Sequence, residues 1–151
     1  MFIIRGVLFQ RKEEIMNNIN PDELFDQALN AAKAAYAPYS KFRVGAALLG
    51  DDDRVYTGCN VENRSFGLTI CAERTAVTKA VSEGCRSFKA LAIAVLDSDV
   101  PVGPCGACRQ VLSEFMPASA PVYFGGPATK RINTSIGELI PFDSLHDLGR
   151  A

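Results

Sequence analysis

Three cysteines and one glutamate stand in two short motifs, Cys71-Ala72-Glu73 and Pro104-Cys105-Gly106-Ala107-Cys108. Three thiolates on a tetrahedral Zn²⁺ leave a fourth corner for water, whereas a structural site closes all four corners with Cys or His. A metal-activated water needs a base beside it to take its proton and pass it on, and Glu73 is the one carboxylate inside the motifs. The expected centre is therefore one Zn²⁺ per chain on Cys71, Cys105 and Cys108, with Glu73 as catalytic proton shuttle. Two other readings use the same letters. A structural zinc module would leave Glu73 as a helix cap, and a redox Cys105-x-x-Cys108 pair would leave Cys71 and Glu73 unexplained.

The spacing sets demands on the backbone. Cys105 and Cys108 are three apart, so in a first helical turn both sulfurs face one side. Cys71 and Glu73 are two apart and would diverge on a regular helix, so Cys71 is expected at a helix entrance with non-helical dihedrals. Three thiolates overcompensate a divalent ion. The positive ends of two helices offset that charge, and Arg74 and Arg109 are possible donors to sulfur, with Arg74 preferred.

The elements that must position these residues can be read around them. Asn20-Pro21-Asp22-Glu23 is a capped helix start. Leu24, Phe25, Ala28, Leu29, Ala32 and Ala35 then form one apolar face, with the helix expected to end before Pro38. Residues 43–49 and 55–59 read as a hairpin turning at Gly50-Asp51-Asp52-Asp53. A second helix over about 71–83 stops at Gly84, and residues 90–96 form an apolar run typical of a strand covered on both faces. A third helix spans about 106–116, strand character returns at 122–124 and more weakly near Ile132, and Thr134 or Ser135 caps a short last helix with Glu138. This order predicts an α/β fold with a sheet between helical layers.

At 151 residues, 48% hydrophobic and net charge −1, the composition is that of one globular domain, with residues 1–20 an N-terminal extension and 21–151 the domain. Met16 is a candidate translation start. With no Lys/Arg-rich run, the footprint of a nucleic-acid binder is missing and the expected substrate is small. The apolar stretch 2–9 is too short to span a bilayer, so no membrane partner is expected. Five cysteines with a Cys-x-x-Cys pair resemble a cytoplasmic metal-site inventory more than a disulfide framework, leaving Cys59 and Cys85 as buried, inert thiols. His146, the single histidine, reads as a surface residue.

Four linked motifs carry a family resemblance: residues 39–47 (YSKFRVGAA), 58–63 (GCNVEN), 71–76 (CAERTA) and 104–110 (PCGACRQ). Over roughly residues 24–139 the chain resembles the free-nucleoside cytidine deaminases of the short-subunit, homotetrameric type, whose zinc signature these motifs match. The resemblance implies a three-layer α/β/α fold with a mixed sheet of about five strands. It implies hydrolysis of cytidine and deoxycytidine to uridine and deoxyuridine, with loss of ammonia, in pyrimidine salvage. It further implies that a zinc-activated water attacks C4 of the base while Glu73 protonates N3 and then the leaving amino group. Asn60 and Glu62 would bond the ribose 3′-hydroxyl, Phe42 would pack near the base, and the Ala72 N–H would meet the base carbonyl. Phe142 is a candidate contact to a neighbouring subunit's site. A nucleoside antibiotic is the alternative substrate within the same superfamily.

Overall fold

The computed structural model of the protein describes residues 20–145. The expectations for residues 1–19, Met16 among them, and for His146 fall outside those residues. The side chain of Asn20 accepts from the backbone N–H of Asp22 (3.1 Å) and Glu23 (3.3 Å), starting helix α1, Pro21–Ala32, with Pro21 in the first turn. This helix is shorter than its apolar face suggested, and Ala35 lies beyond its end. Tertiary pairing accounts for the early stop. The Tyr36 N–H donates to the Asn60 carbonyl at 3.0 Å, and the Tyr36 carbonyl accepts from the Glu62 N–H at 2.8 Å, which a continuing helix would forbid.

The expected hairpin forms from β1, Val44–Gly50, and β2, Val55–Cys59, followed after a 3₁₀ turn at Phe66–Leu68 by α2, Ala72–Ser82. Strand β3, Phe88–Val95, helix α3, Gly106–Phe115, strand β4, Pro121–Gly125, strand β5, Ile132–Ser135, and helix α4, Ile136–Leu139, complete the order. Gly84 takes φ +96°, the left-handed conformation expected just past the end of α2. Of the two residues proposed to cap the last helix it is Ser135, in a capping box with Glu138.

The sheet runs β2-β1-β3-β4-β5, with only the β3–β4 pair parallel, so it is mixed and five-stranded. Its period-2 alternation makes three layers. Ala47, Ala90, Ala92 and Ala94 face α1, while Ala46, Leu48, Leu91 and Ile93 face the core built with α2 and α3. The α1 side is lined by alanine because the helix lies almost against the strands. A Cβ at Gly45 would sit 2.1 Å from the Ala28 carbonyl oxygen and 2.3 Å from the Ala32 nitrogen, and on the other face one at Gly58 would sit 2.6 Å from the Ala72 carbonyl oxygen of α2. Both clashes are with backbone, so no side-chain movement relieves them. Gly45→Ala should therefore cost ~3 kcal/mol or more and lower Tm by roughly 10 °C. Calorimetry checks this, and an unchanged Tm would contradict so close a seating of α1.

Cys85 is buried as expected, but Cys59 is only half-buried. It ends β2, an edge strand, on the face where Val55 and Thr57 are also partly exposed. No helix among the described residues is long and apolar enough to cross a membrane.

Candidate metal centre and nucleoside cleft

One end of the sheet gathers the chemistry. Val44 pairs with Val95, and Gly45 with Cys59, so the start of β1 and the ends of β2 and β3 open on the same side. Helices α2 and α3 begin there too, Cys71 and Cys105 standing immediately before their first residues. In an open α/β sheet, the crevice beyond strand ends is where ligands bind.

Cys71 has φ −70° and ψ 155°, the extended entrance conformation that its two-residue spacing from Glu73 demanded, and Cys105 has φ −68° and ψ 167°. Neither thiol caps its own helix, so both sulfurs are free to turn towards each other. Cys108, in the first turn of α3, is fully buried behind them. The three sulfurs lie within 4.8 Å of one another, with Cys71 and Cys105 3.9 Å apart. Tetrahedral Zn–S bonds of ~2.3 Å require sulfurs about 3.8 Å apart, so the donor set fits zinc in both chemistry and spacing.

Positive charge stands behind the sulfurs. The Arg74 guanidinium donates to the Cys71 sulfur and to the Thr69 carbonyl, both at 3.4 Å, and its Nε is buried with no hydrogen-bond partner. Contact with the Cys71 sulfur, and next with that of Cys108, holds the arginine's pKa above its ordinary value. The Cys71 thiol is drawn down to about 5, chiefly by its hydrogen bond with Cys108 and then by Arg74. Cys108 is raised as the partner that keeps the proton. Arg109, the other candidate donor, is turned elsewhere. Its guanidinium bonds the carbonyls of Pro104 (2.9 Å) and Leu139 (3.1 Å), fastening the loop before α3 to the end of α4.

Glu73 is 4% exposed, and burial pushes its carboxyl up to about 7, with the Cys71 charge adding to the shift. It shares with Cys71 and Cys105 the wall of a cleft of about 260 Å³, a little below the ~300–1,000 Å³ usual for small-molecule sites. Phe42, Asn60, Glu62 and Ala72 line the same cleft. Ala72 opens α2, so its N–H has no acceptor within the helix.

The polar residues at the outer end are already engaged with the chain. The Asn60 side-chain amide donates to the Phe42 carbonyl at 2.8 Å and accepts from the Val44 N–H at 2.9 Å, bracketing the start of β1. Glu62 accepts from the N–H groups of Tyr39 (3.0 Å) and Ser40 (3.3 Å) and from the Ser40 hydroxyl, which holds its carboxyl below the usual range. Sequence reasoning missed Ser40, Thr69, Val102 and Gly103, which also line the cleft. Ser40 lies inside the YSKF motif, the one signal that could have singled it out; the loop around Val102 carries no periodicity to read.

A three-layer α/β/α sheet with three converging thiols and a buried carboxylate at its open end defines the class of the zinc-dependent deaminases. The profile described as "Cytidine and deoxycytidylate deaminase zinc-binding region" matches residues 19–124, and the chain belongs to that family. It is 52% identical over 120 residues to the cytidine deaminase of Sporosarcina psychrophila, an alignment covering 80% of this chain and 88% of that one. To the cytidine deaminase of Halalkalibacterium halodurans it is 51% identical over 118 residues, covering 78% and 89%. Among solved structures, the cytidine deaminase of Burkholderia pseudomallei is similar with TM-score 0.78 and 43% identity, covering 82% of this chain and 98% of that one.

Proposed function

We propose that this protein is a cytidine deaminase, hydrolysing cytidine and deoxycytidine to uridine and deoxyuridine with release of ammonia. The observation that carries this reading is the convergence of the Cys71, Cys105 and Cys108 sulfurs, with Cys71, Cys105 and buried Glu73 in the wall of the cleft. Zinc held by those thiolates supplies the Lewis acidity that makes water a nucleophile near neutral pH.

The rest falls to the chain. With burial raising its carboxyl above the usual range, Glu73 can both take and return a proton. It takes one proton from the attacking water and delivers it to N3 of the base, then takes the second from the hydroxyl newly bonded to C4 and delivers it to the departing amino group, so that C4 closes to a carbonyl as ammonia leaves. The Ala72 N–H holds the base carbonyl oxygen, Phe42 covers the ring, and Asn60 and Glu62 hold the ribose 3′-hydroxyl. Arg74 keeps the sulfurs' charge in check. The family spans nucleosides and nucleotides, and the cleft wall favours the former. None of the residues lining it is a lysine or arginine, and its charged side chains are Glu62 and Glu73, which repel a phosphate.

A cytoplasmic homotetramer belongs to the same reading. Tyr36, Tyr39, Val61, Phe66, Leu68 and Ile70 are all exposed, Tyr36, Val61 and Ile70 are joined by backbone bridges, and Phe142 is 94% exposed. Apolar surface of this kind calls for a covering partner. The test follows ultraviolet absorbance of the zinc-loaded protein with cytidine, deoxycytidine, cytosine, deoxycytidylate and a cytidine-type antibiotic. Turnover of the first two and none of deoxycytidylate is expected; no nucleoside turnover overturns the reading. Light scattering on the same preparation should give the mass of a homotetramer.

A further inference from the structure

We infer that Ser40 is a positioning residue of this site, its hydroxyl joining the carboxylate of Glu62 to the backbone at Phe42 so that the sugar-binding and base-binding ends of the cleft keep one register. The inference rests on the nucleoside reading above and extends it to a residue with no assigned part. The Ser40 hydroxyl donates to Glu62 Oε1 and accepts from the Phe42 N–H at 3.0 Å. A hydroxyl can do both at once, which neither a purely donating nor a purely accepting side chain could.

The loop is built round that link. Lys41, between the two bonded residues, has φ 60°, a left-handed conformation that a non-glycine residue adopts only when its neighbours hold it there. The other carboxylate oxygen, Oε2, receives the N–H groups of Tyr39 and Ser40, so three donors from one loop fix Glu62. An ionised carboxylate offers about four lone-pair sites. With three filled, one remains to accept a substrate hydroxyl, and its direction is set by the other three. Without the Ser40 hydroxyl the carboxylate can rotate, and Phe42 loses its tether to it. Ser40 touches the substrate-holding groups and not the metal centre, so its loss should weaken nucleoside binding while sparing the chemical step.

The comparison is between Ser40→Thr, which keeps the hydroxyl, and Ser40→Val, which has the same shape without it, each zinc-loaded and assayed with cytidine and with 3′-deoxycytidine. Removing a hydrogen bond to a charged group predicts for Ser40→Val an approximately 10-fold higher KM for cytidine than for Ser40→Thr, with kcat within about twofold. With 3′-deoxycytidine, which lacks the hydroxyl that Glu62 accepts, the two variants should differ less than about twofold. Equal KM values for cytidine, an equal penalty on both nucleosides, or a loss confined to kcat overturns the inference while leaving the deaminase reading intact. A wild-type protein inactive on both nucleosides overturns that reading, and this inference with it. If Ser40→Val does not fold although Ser40→Thr does, Ser40→Cys, carrying a poorer donor, takes its place and should lie between the wild-type and penalised KM values; a wild-type KM there also overturns the inference.

Discussion

Glu73→Gln should remove deamination while leaving zinc and fold in place. The substitution keeps the size of a side chain that is 4% exposed, so neither a cavity nor a clash follows. It removes the ability to take a proton at the carboxylate that shares the cleft wall with Cys71 and Cys105, an ability that the proposed mechanism uses twice per turnover. General acid–base catalysis contributes typically ~10²–10⁴-fold per role, so kcat should fall about 10³-fold or more with KM little changed. Steady-state kinetics with metal analysis on the same sample decides the matter. Because Glu73 is no ligand, zinc should stay near one per chain; wild-type activity in the Glu73→Gln variant would make the carboxylate a helix cap and the site a structural one.

Cys108→Ser should lose metal and activity together. Cys108 has no exposed surface and stands behind Cys71 and Cys105, so no side chain from solvent can replace it. A hydroxyl is a poor zinc ligand, and two thiolates cannot hold the ion against dilution. Zinc content should drop below about a tenth of the wild-type value, and kcat/KM by ~10³-fold or more. A loss of zinc affinity of about 1,000-fold would also remove roughly 4 kcal/mol of ligand-linked stability, about 15 °C in Tm. The two variants form a pair: one is inactive with its metal, the other inactive without it. Wild-type zinc content in Cys108→Ser would remove that sulfur from the ligand set.

Much of this was legible in the letters because local rules and global demands coincide there. A helix cannot present Cys71 and Glu73 on one side, so the sequence itself placed Cys71 before the helix, where its ψ of 155° puts it. The small-residue positions of β1 and β3 are different. They read as strands, but only the seating of α1 explains why Gly45 and the alanines lie on one face. Failures cluster where distant residues compete with local preference. Helix α1 stops short because Tyr36 pairs with residues 60 and 62, and Cys59 is half-exposed because its strand turned out to be an edge. Ser40 escaped notice for the same reason. A serine between tyrosine and lysine reads as a turn residue, and its partner lies 22 positions along the chain.

In the proposed assignment the metal ligands come from the starts of α2 and α3, while the groups assigned to the nucleoside come mainly from the connection between α1 and β1 and the segment after β2. The two sets share a cavity, and the loop that carries Phe42 lies apart in the chain from both helix starts. Reactivity and selectivity can therefore drift independently: a descendant could acquire a taste for a modified sugar by rewriting the 37–42 loop without disturbing its catalytic engine.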